Sequence, residues 1–84
     1  MTETVFVDEI VNIPGNVDLS TQGVAYCPFG YTVTGGGATM GLTNQGILSG
    51  SEPLQNQQAW SAWGRSSAAT NMTVHAICMR ETTG

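Results

Sequence analysis

The chain has 84 residues, two basic and six acidic side chains, and a formal net charge of −4. This length fits one small domain, in which folding removes only about 60 to 65% of the unfolded surface from water. The acidic balance argues against binding to nucleic-acid phosphates, which requires clustered basic side chains. One histidine, no lysine and scattered acids offer no nucleophile with a base and an orienting group. We therefore expect no enzyme activity and no cofactor.

The first part of the chain predicts two strands. β-branched residues fill Val5 to Ile13 and end at the turn signal Pro14-Gly15-Asn16, which predicts a first strand. Its apolar alternation breaks at Asp8 and Glu9, as expected at a bulge or at a sheet edge. A second strand is predicted over residues 17–27.

A tight turn is predicted between Cys27 and Tyr31, because Pro28 presets φ near −65° for its second position and Gly30 accepts a positive φ. A short strand at 31–34 then enters three glycines, Gly35 to Gly37, and continues at 38–42. Glycine contributes no side-chain packing to a strand. The triplet therefore predicts a bulge or a close backbone approach.

The longest connection is predicted over 43–58, where Gly, Asn, Gln and Ser dominate. We expect a long polar loop there, of the kind that often carries binding residues on a rigid scaffold. Further strands are predicted at 59–65 and 72–80. In the last of these, strict alternation predicts one face toward the core, formed by Met72, Val74, Ala76 and Cys78.

Two cysteines, Cys27 and Cys78, lie in predicted strands near opposite ends of the chain. Paired, they would close a long loop and contribute about 4 kcal/mol of stability in the chain-entropy model. Unpaired, they would be two small buried hydrophobic residues. The disulfide is the first interpretation and reduced core cysteines are the alternative.

The sequence gives mixed indications of compartment. A disulfide implies an oxidising compartment, a virion or a cell surface. Residues 1–4 lack the basic start of a signal peptide. No run of about 18 apolar residues predicts a membrane span. An extracellular or virion module, cut from a longer protein or released by lysis, reconciles these observations.

An ordered pattern of short motifs spans about residues 17–78. It consists of Cys27-Pro28-x-Gly30, then Gly35-Gly36-Gly37-Ala38, a strand centred on Trp60, and a closing Val74-x-Ala76-Ile77-Cys78. This pattern resembles a small β module of secreted bacterial proteins, and similar segments end collagen-like and phage tail-fibre-like proteins. Phe29 departs from the small residue usual after the proline.

The resemblance implies a compact β-sandwich stapled between its second and last strands, with no settled activity. We accordingly expect an all-β, antiparallel β-sandwich with one interstrand disulfide, of jelly-roll or immunoglobulin-like topology. Residues 1–84 would form a single domain, the C-terminal module of a longer protein.

Two tryptophans, Trp60 and Trp63, lie three residues apart on a predicted strand and should face opposite ways. Trp60 should pack inward. Trp63 is then on the outside, where an aromatic ring beside polar side chains suits stacking on sugar rings. The alternative is burial of Trp63 between protomers. For a cell-surface glycan or receptor, the predicted binding residues are Trp63, Tyr31, Gln55, Asn56, Gln57 and Gln58.

His75 has no acidic partner evident in the sequence, so a structural or interface role is predicted rather than a catalytic one. Two cysteines and one histidine lack the spacing of zinc sites, so no metal is expected. The favoured function is non-enzymatic surface attachment. The runner-up is a trimerising or capping domain of a fibre, which would form a homo-oligomer with His75, Ile77, Met79 and Trp63 at its contacts.

Overall fold

A computed structural model of the chain describes residues 1–41 and 46–82. Its regular elements are strands and one short 3₁₀ helix at Gln55–Gln57, which confirms the all-β expectation. The strands are β1 (Thr2–Ile13), β2 (Thr21–Tyr26), β3 (Thr32–Met40), β4 (Gly46–Leu54), β5 (Ala59–Ser66) and β6 (Thr70–Glu81).

The strands form two three-stranded sheets that pack together as a β-sandwich. One sheet has the order β1-β6-β3 and the other β2-β5-β4, and all paired strands are antiparallel. The β2–β3 turn therefore carries the chain from one sheet to the other. Within the described residues, the sandwich has fewer strands than a jelly roll or an immunoglobulin domain.

The core lies between the two central strands. The predicted inner face of β6 is confirmed, because Met72, Val74, Ala76 and Cys78 are all fully buried. Ala62 of β5 packs against them from the other sheet. These residues form the core because alternation places every second side chain of β6 on one face, and the four side chains in the middle of that face are apolar.

The two tryptophans of β5 face opposite ways, as predicted. Trp60 packs against the core, and its indole N–H donates a hydrogen bond to the Ser51 hydroxyl at 2.7 Å. Trp63 lies on the outer face, where its ring covers Gly50 of β4. Both rings remain partly exposed.

The broken alternation at Asp8 and Glu9 reflects an edge position. β1 pairs only with β6 in its sheet, and the register from Thr2 to Ile13 contains no bulge. β2 begins at Thr21 rather than at residue 17. Residues 17–20 belong instead to the turn after β1, where the Asn16 side chain accepts a hydrogen bond from the Asp18 N–H.

The prediction of a polar loop over residues 43–58 is wrong for most of that range. Residues 46–54 form β4, which pairs with β5, and residues 55–57 form the 3₁₀ helix. Residues 43–45 lie outside the described part of the chain. β4 is an edge strand with mostly exposed side chains and a register shift between Leu48 and Gly50. β4 is held by backbone hydrogen bonds to β5, and most of its side chains face solvent. Because few of them need to be apolar, the sequence of β4 shows no apolar alternation.

The three glycines lie within β3 and do not end it. A register shift between Val33 and Gly35 places the bulge at Thr34, just before the triplet. At Gly36 a β-carbon would overlap the Trp60 indole and the His75 carbonyl oxygen, whereas at Gly37 it would meet open space. The predicted close approach is therefore confirmed and belongs to Gly36.

The Cys27–Cys78 disulfide is formed and joins the residue that follows β2 to the C-terminal part of β6, with the two Cα atoms 5.7 Å apart. Replacing both cysteines by alanine should lower the free energy of unfolding by about 2 to 5 kcal/mol, because the bridge spans 51 residues of chain. Urea denaturation of the double variant measures this loss. An unchanged midpoint would contradict it.

Gly36→Ala should destabilise the fold by about 1 to 3 kcal/mol, because the added methyl group must displace the Trp60 ring or the β6 backbone. Gly37→Ala is the matched control, since the same group there meets open space. Thermal unfolding of both variants tests the difference. Equal midpoints would show that Trp60 does not lie against β3 as described.

Candidate functional site

A cleft of about 580 Å³ opens between the β2–β3 turn and the 3₁₀ helix. Residues 27–32 form one wall and residues 56–58 form the other. None of these nine lining residues carries a formal charge at neutral pH. The cleft therefore offers aromatic, amide, hydroxyl and backbone groups to an uncharged ligand.

The turn wall is braced by a backbone hydrogen bond and by the disulfide. The Tyr31 N–H donates a hydrogen bond to the Pro28 carbonyl at 3.0 Å, and Gly30 has φ +89°. The disulfide fixes Cys27 at the start of the turn. Phe29 lies at the tip and is fully exposed. A rigid turn thus presents a bare aromatic ring to solvent.

Gln58 joins the two walls. Its carbonyl accepts a hydrogen bond from the Cys27 N–H at 2.8 Å, and its side-chain oxygen accepts one from the Val33 N–H at 2.8 Å. The backbone N–H of Gln58 donates to the Gln55 carbonyl at 3.2 Å and closes the 3₁₀ helix, and the Gln58 side-chain amide donates to the same carbonyl at 2.9 Å. Its backbone takes the left-handed conformation at φ 49°. The amides of Asn56 and Gln57 stay exposed beside it.

Tyr31 is held from behind the cleft by a charged pair. Its hydroxyl donates a hydrogen bond to Glu3, and the Arg80 guanidinium lies over its ring at 4.9 Å from the centroid. Arg80 also pairs with Glu3 at 3.2 Å. The hydrogen bond from Tyr31, aided by Arg80, lowers the pKa of Glu3, and the same hydrogen bond raises the pKa of Tyr31.

The structure brings some of the predicted binding residues together and separates others. Tyr31, Asn56 and Gln57 line the cleft, whereas Gln55 supplies only a backbone acceptor in the adjoining 3₁₀ helix. Trp63 lies on the outer face of β5, four residues along the strand from Ala59 at its start, or about 13 Å. Trp63 is not among the residues that line the cleft with Tyr31.

Sequence reasoning missed Phe29 as a site residue. The chain reversal between Cys27 and Tyr31 is confirmed, but the hydrogen bond from the Tyr31 N–H to the Pro28 carbonyl makes Pro28 the first residue of the turn and Phe29 the second. A residue in the middle of such a turn points its side chain away from both flanking strands. An aromatic side chain at that position cannot reach the core. The position of Phe29 within the predicted turn was therefore the feature of the sequence that indicated its exposure.

The predicted interface residues lie on two opposite surfaces. His75, Ile77 and Met79 share the outer face of β6, while Trp63 lies on the outer face of the other sheet. Contacts through opposite faces add subunits in an open stack and do not close a ring of three. A trimer with both surfaces at one contact remains a prediction without a supporting observation.

The structure supplies the acidic partner that the sequence did not reveal for His75. The Nδ1 atom lies 2.7 Å from Asp8 Oδ1, and Nε2 lies 3.3 Å from the Thr39 hydroxyl. Asp8 is directly opposite His75 in the antiparallel register, so the contact follows from strand pairing. All three side chains lie along the outer face of the sheet, away from the cleft.

In residues 1–41 and 46–82, no three side chains of the His, Cys, Asp or Glu type gather into a possible metal site. The same residues contain no helix with the length and apolar content needed to cross a bilayer. The chain matches no protein-family model, no curated protein and no solved structure. The resemblance to the secreted β module therefore stays a prediction.

Removing the Glu3 carboxylate should lower the pKa of Tyr31 toward its usual value near 10.0, because the hydrogen bond to Glu3 is the main cause of the shift. Absorbance titration in a Tyr26→Phe background follows Tyr31 alone. Glu3→Ala should shift the curve downward, and Glu9→Ala on the same strand should not. Identical curves would exclude the contact.

The network also predicts how stability varies with pH. The lowered pKa of Glu3 means that its contribution is present above about pH 4.5 and is lost as the pH falls through the native value. The raised pKa of Tyr31 means that its contribution is present below about pH 10.0 and is lost as the pH rises through the native value. Glu3→Ala should therefore flatten both limbs of the stability profile.

Proposed function

We propose that this protein is a non-enzymatic attachment module that binds a neutral glycan in the cleft between the β2–β3 turn and the 3₁₀ helix. The observation that carries the proposal is a fully exposed Phe29 at the edge of a cleft without formal charges. Aromatic rings pack against the C–H faces of sugars, and exposed amides bond to their hydroxyl groups.

The division of roles follows from the hydrogen bonds. Phe29 supplies the apolar contact. Asn56 and Gln57 supply donors and acceptors, since both are exposed. Gln58 and Tyr31 have their polar atoms engaged within the protein, so they shape the cleft and orient its walls. Such prior organisation reduces the entropy lost when a ligand binds.

The surrounding surface agrees with a neutral ligand. The basic residues of the chain are Arg65 and Arg80, and Arg80 is paired with Glu3 behind the cleft. An acidic sugar or a phosphate would find no unpaired cation among the lining residues. The disulfide is compatible with an extracellular or virion setting, where cell-surface glycans are met.

A glycan array with neutral and acidic members tests the proposal. For any neutral glycan that binds, Phe29→Ala should weaken binding about tenfold or more, since one aromatic anchor often dominates a small site. The thermal midpoint should stay unchanged, because the Phe29 side chain is fully exposed. Phe29→Tyr should retain binding.

Trp63→Ala separates this site from the one predicted from sequence. If binding is lost with Trp63→Ala and kept with Phe29→Ala, the site is on the outer face of β5 and the cleft proposal is wrong. Binding restricted to acidic glycans would also contradict it, since the cleft carries no formal charge.

A further inference from the structure

The outer side of the β1-β6-β3 sheet exposes large apolar side chains. Phe6 and Ile10 of β1 are 74% and 67% exposed. Ile77 and Met79 of β6 point to the same side by strand alternation and are partly exposed. We call this surface the apolar face. Phe6, Ile77 and Met79 are neighbours on this surface, whereas the paired side chains of Asp8 and His75 separate them from Ile10. Exposed apolar surface of this kind marks a contact site.

The apolar face is not flat. Phe6 and Ile10 form a ridge along β1. On the far side of β6, β3 contributes Gly35 and Gly37. The position of a β-carbon at Gly37 is surrounded by open space, whereas at Gly35 it lies 3.6 Å from Ile77 Cδ1. The ridge and this glycine trough lie on either side of β6, about 10 Å apart at two strand spacings.

The register aligns the ridge with the trough. Phe6 pairs with Ile77, and Ile77 pairs with Gly35, so the three residues form one row across the sheet. The neighbouring row consists of Asp8, His75 and Gly37. Each row thus has a side chain at the β1 end and none at the β3 end.

We propose that the apolar face binds a second copy of this chain, in a two-fold symmetric dimer in which the β1 ridge of each copy fills the β3 trough of the other. A two-fold axis parallel to β6, lying between the stacked faces, carries β1 of one copy over β3 of the other. The axis leaves the position of each row along the strands unchanged, so Phe6 lies over Gly35 of the second copy. One patch then serves both copies, as a closed two-fold contact requires.

The charges of the face favour the same axis. Asp8 lies between Phe6 and Ile10 on the ridge and is paired with His75 of its own copy at 2.7 Å. With the axis parallel to β6, Asp8 lies over Gly37 of the second copy. An axis across the strands would place ridge on ridge and bring the two β1 strands, with their carboxylates, together. Glycine opposite the ridge therefore avoids a steric conflict and keeps the two Asp8 carboxylates apart.

The size of the face predicts a weak dimer. Three strands about 4.8 Å apart and about ten residues long, at about 3.3 Å per residue, cover roughly 500 Å² on each copy. A standard stable interface covers about 800 Å² per partner. We therefore expect association that is reversible and rises with concentration.

Sedimentation equilibrium of the whole chain, from low micromolar to near-millimolar concentration, tests the proposal. A monomer–dimer equilibrium is expected. Phe6→Ser removes the ridge and Gly37→Val fills the trough, and each should raise the dissociation constant about tenfold or more. Ile47→Ser, at an exposed apolar residue of β4 in the other sheet, should leave it unchanged. Thermal midpoints at the lowest concentration show whether the variant monomers stay folded.

Three results would overturn the proposal: a monomer at every concentration, a trimer, or a dimer that neither ridge nor trough variant weakens. Isotope-filtered NMR on a mixture of labelled and unlabelled chains tests the axis. Contacts from the Phe6 ring to the α-protons of Gly35 or Gly37 on the other copy are expected. Contacts between the two Phe6 rings would overturn the arrangement.

Discussion

The covalent bond between Cys27 and Cys78 is the constraint on which both the core and the cleft depend. Cys78 is fully buried in the central strand of one sheet, and Cys27 begins the turn that follows β2 of the other. The bridge therefore holds the sheets together and fixes the first residue of the cleft wall. In so small a domain, whose core yields little stability by itself, the cross-link has a large share of the total.

The sheets approach closely because their facing side chains are small. Ala62, Ala76 and Gly36 bring backbone and ring surfaces into direct contact, with the Trp60 indole lying against β3. This arrangement buries a core with few large residues. It also leaves several aromatic and aliphatic side chains outside, among them Phe6 and Phe29. The glycan site and the dimer contact that we propose both use these exposed side chains.

The two proposed surfaces are independent in structure. The cleft is built from the β2–β3 turn and the 3₁₀ helix, whereas the apolar face belongs to the outer side of the β1-β6-β3 sheet. A dimer through that face would carry two clefts. Two linked sites bind a surface of repeated glycans more tightly than one site does, because the second contact is intramolecular. Attachment and self-association would then support each other.

The sequence by itself determined the fold class, the central strand, the chain reversal before Tyr31 and the opposed directions of the two tryptophans, because these depend on local chemistry: side-chain alternation on β5 and β6, and the positive φ that Gly30 accepts. The sequence favoured the disulfide over two reduced cysteines, and the tertiary structure brought Cys27 and Cys78 within reach of each other. Tertiary structure alone decided the rest. β4 forms because β5 provides partners for its backbone hydrogen bonds. The residues of β4 are mostly polar and exposed, so their pattern did not predict a strand. Tyr31 joins Asn56 and Gln57 in one cleft, and Trp63 does not, because sheet order rather than residue type sets those distances.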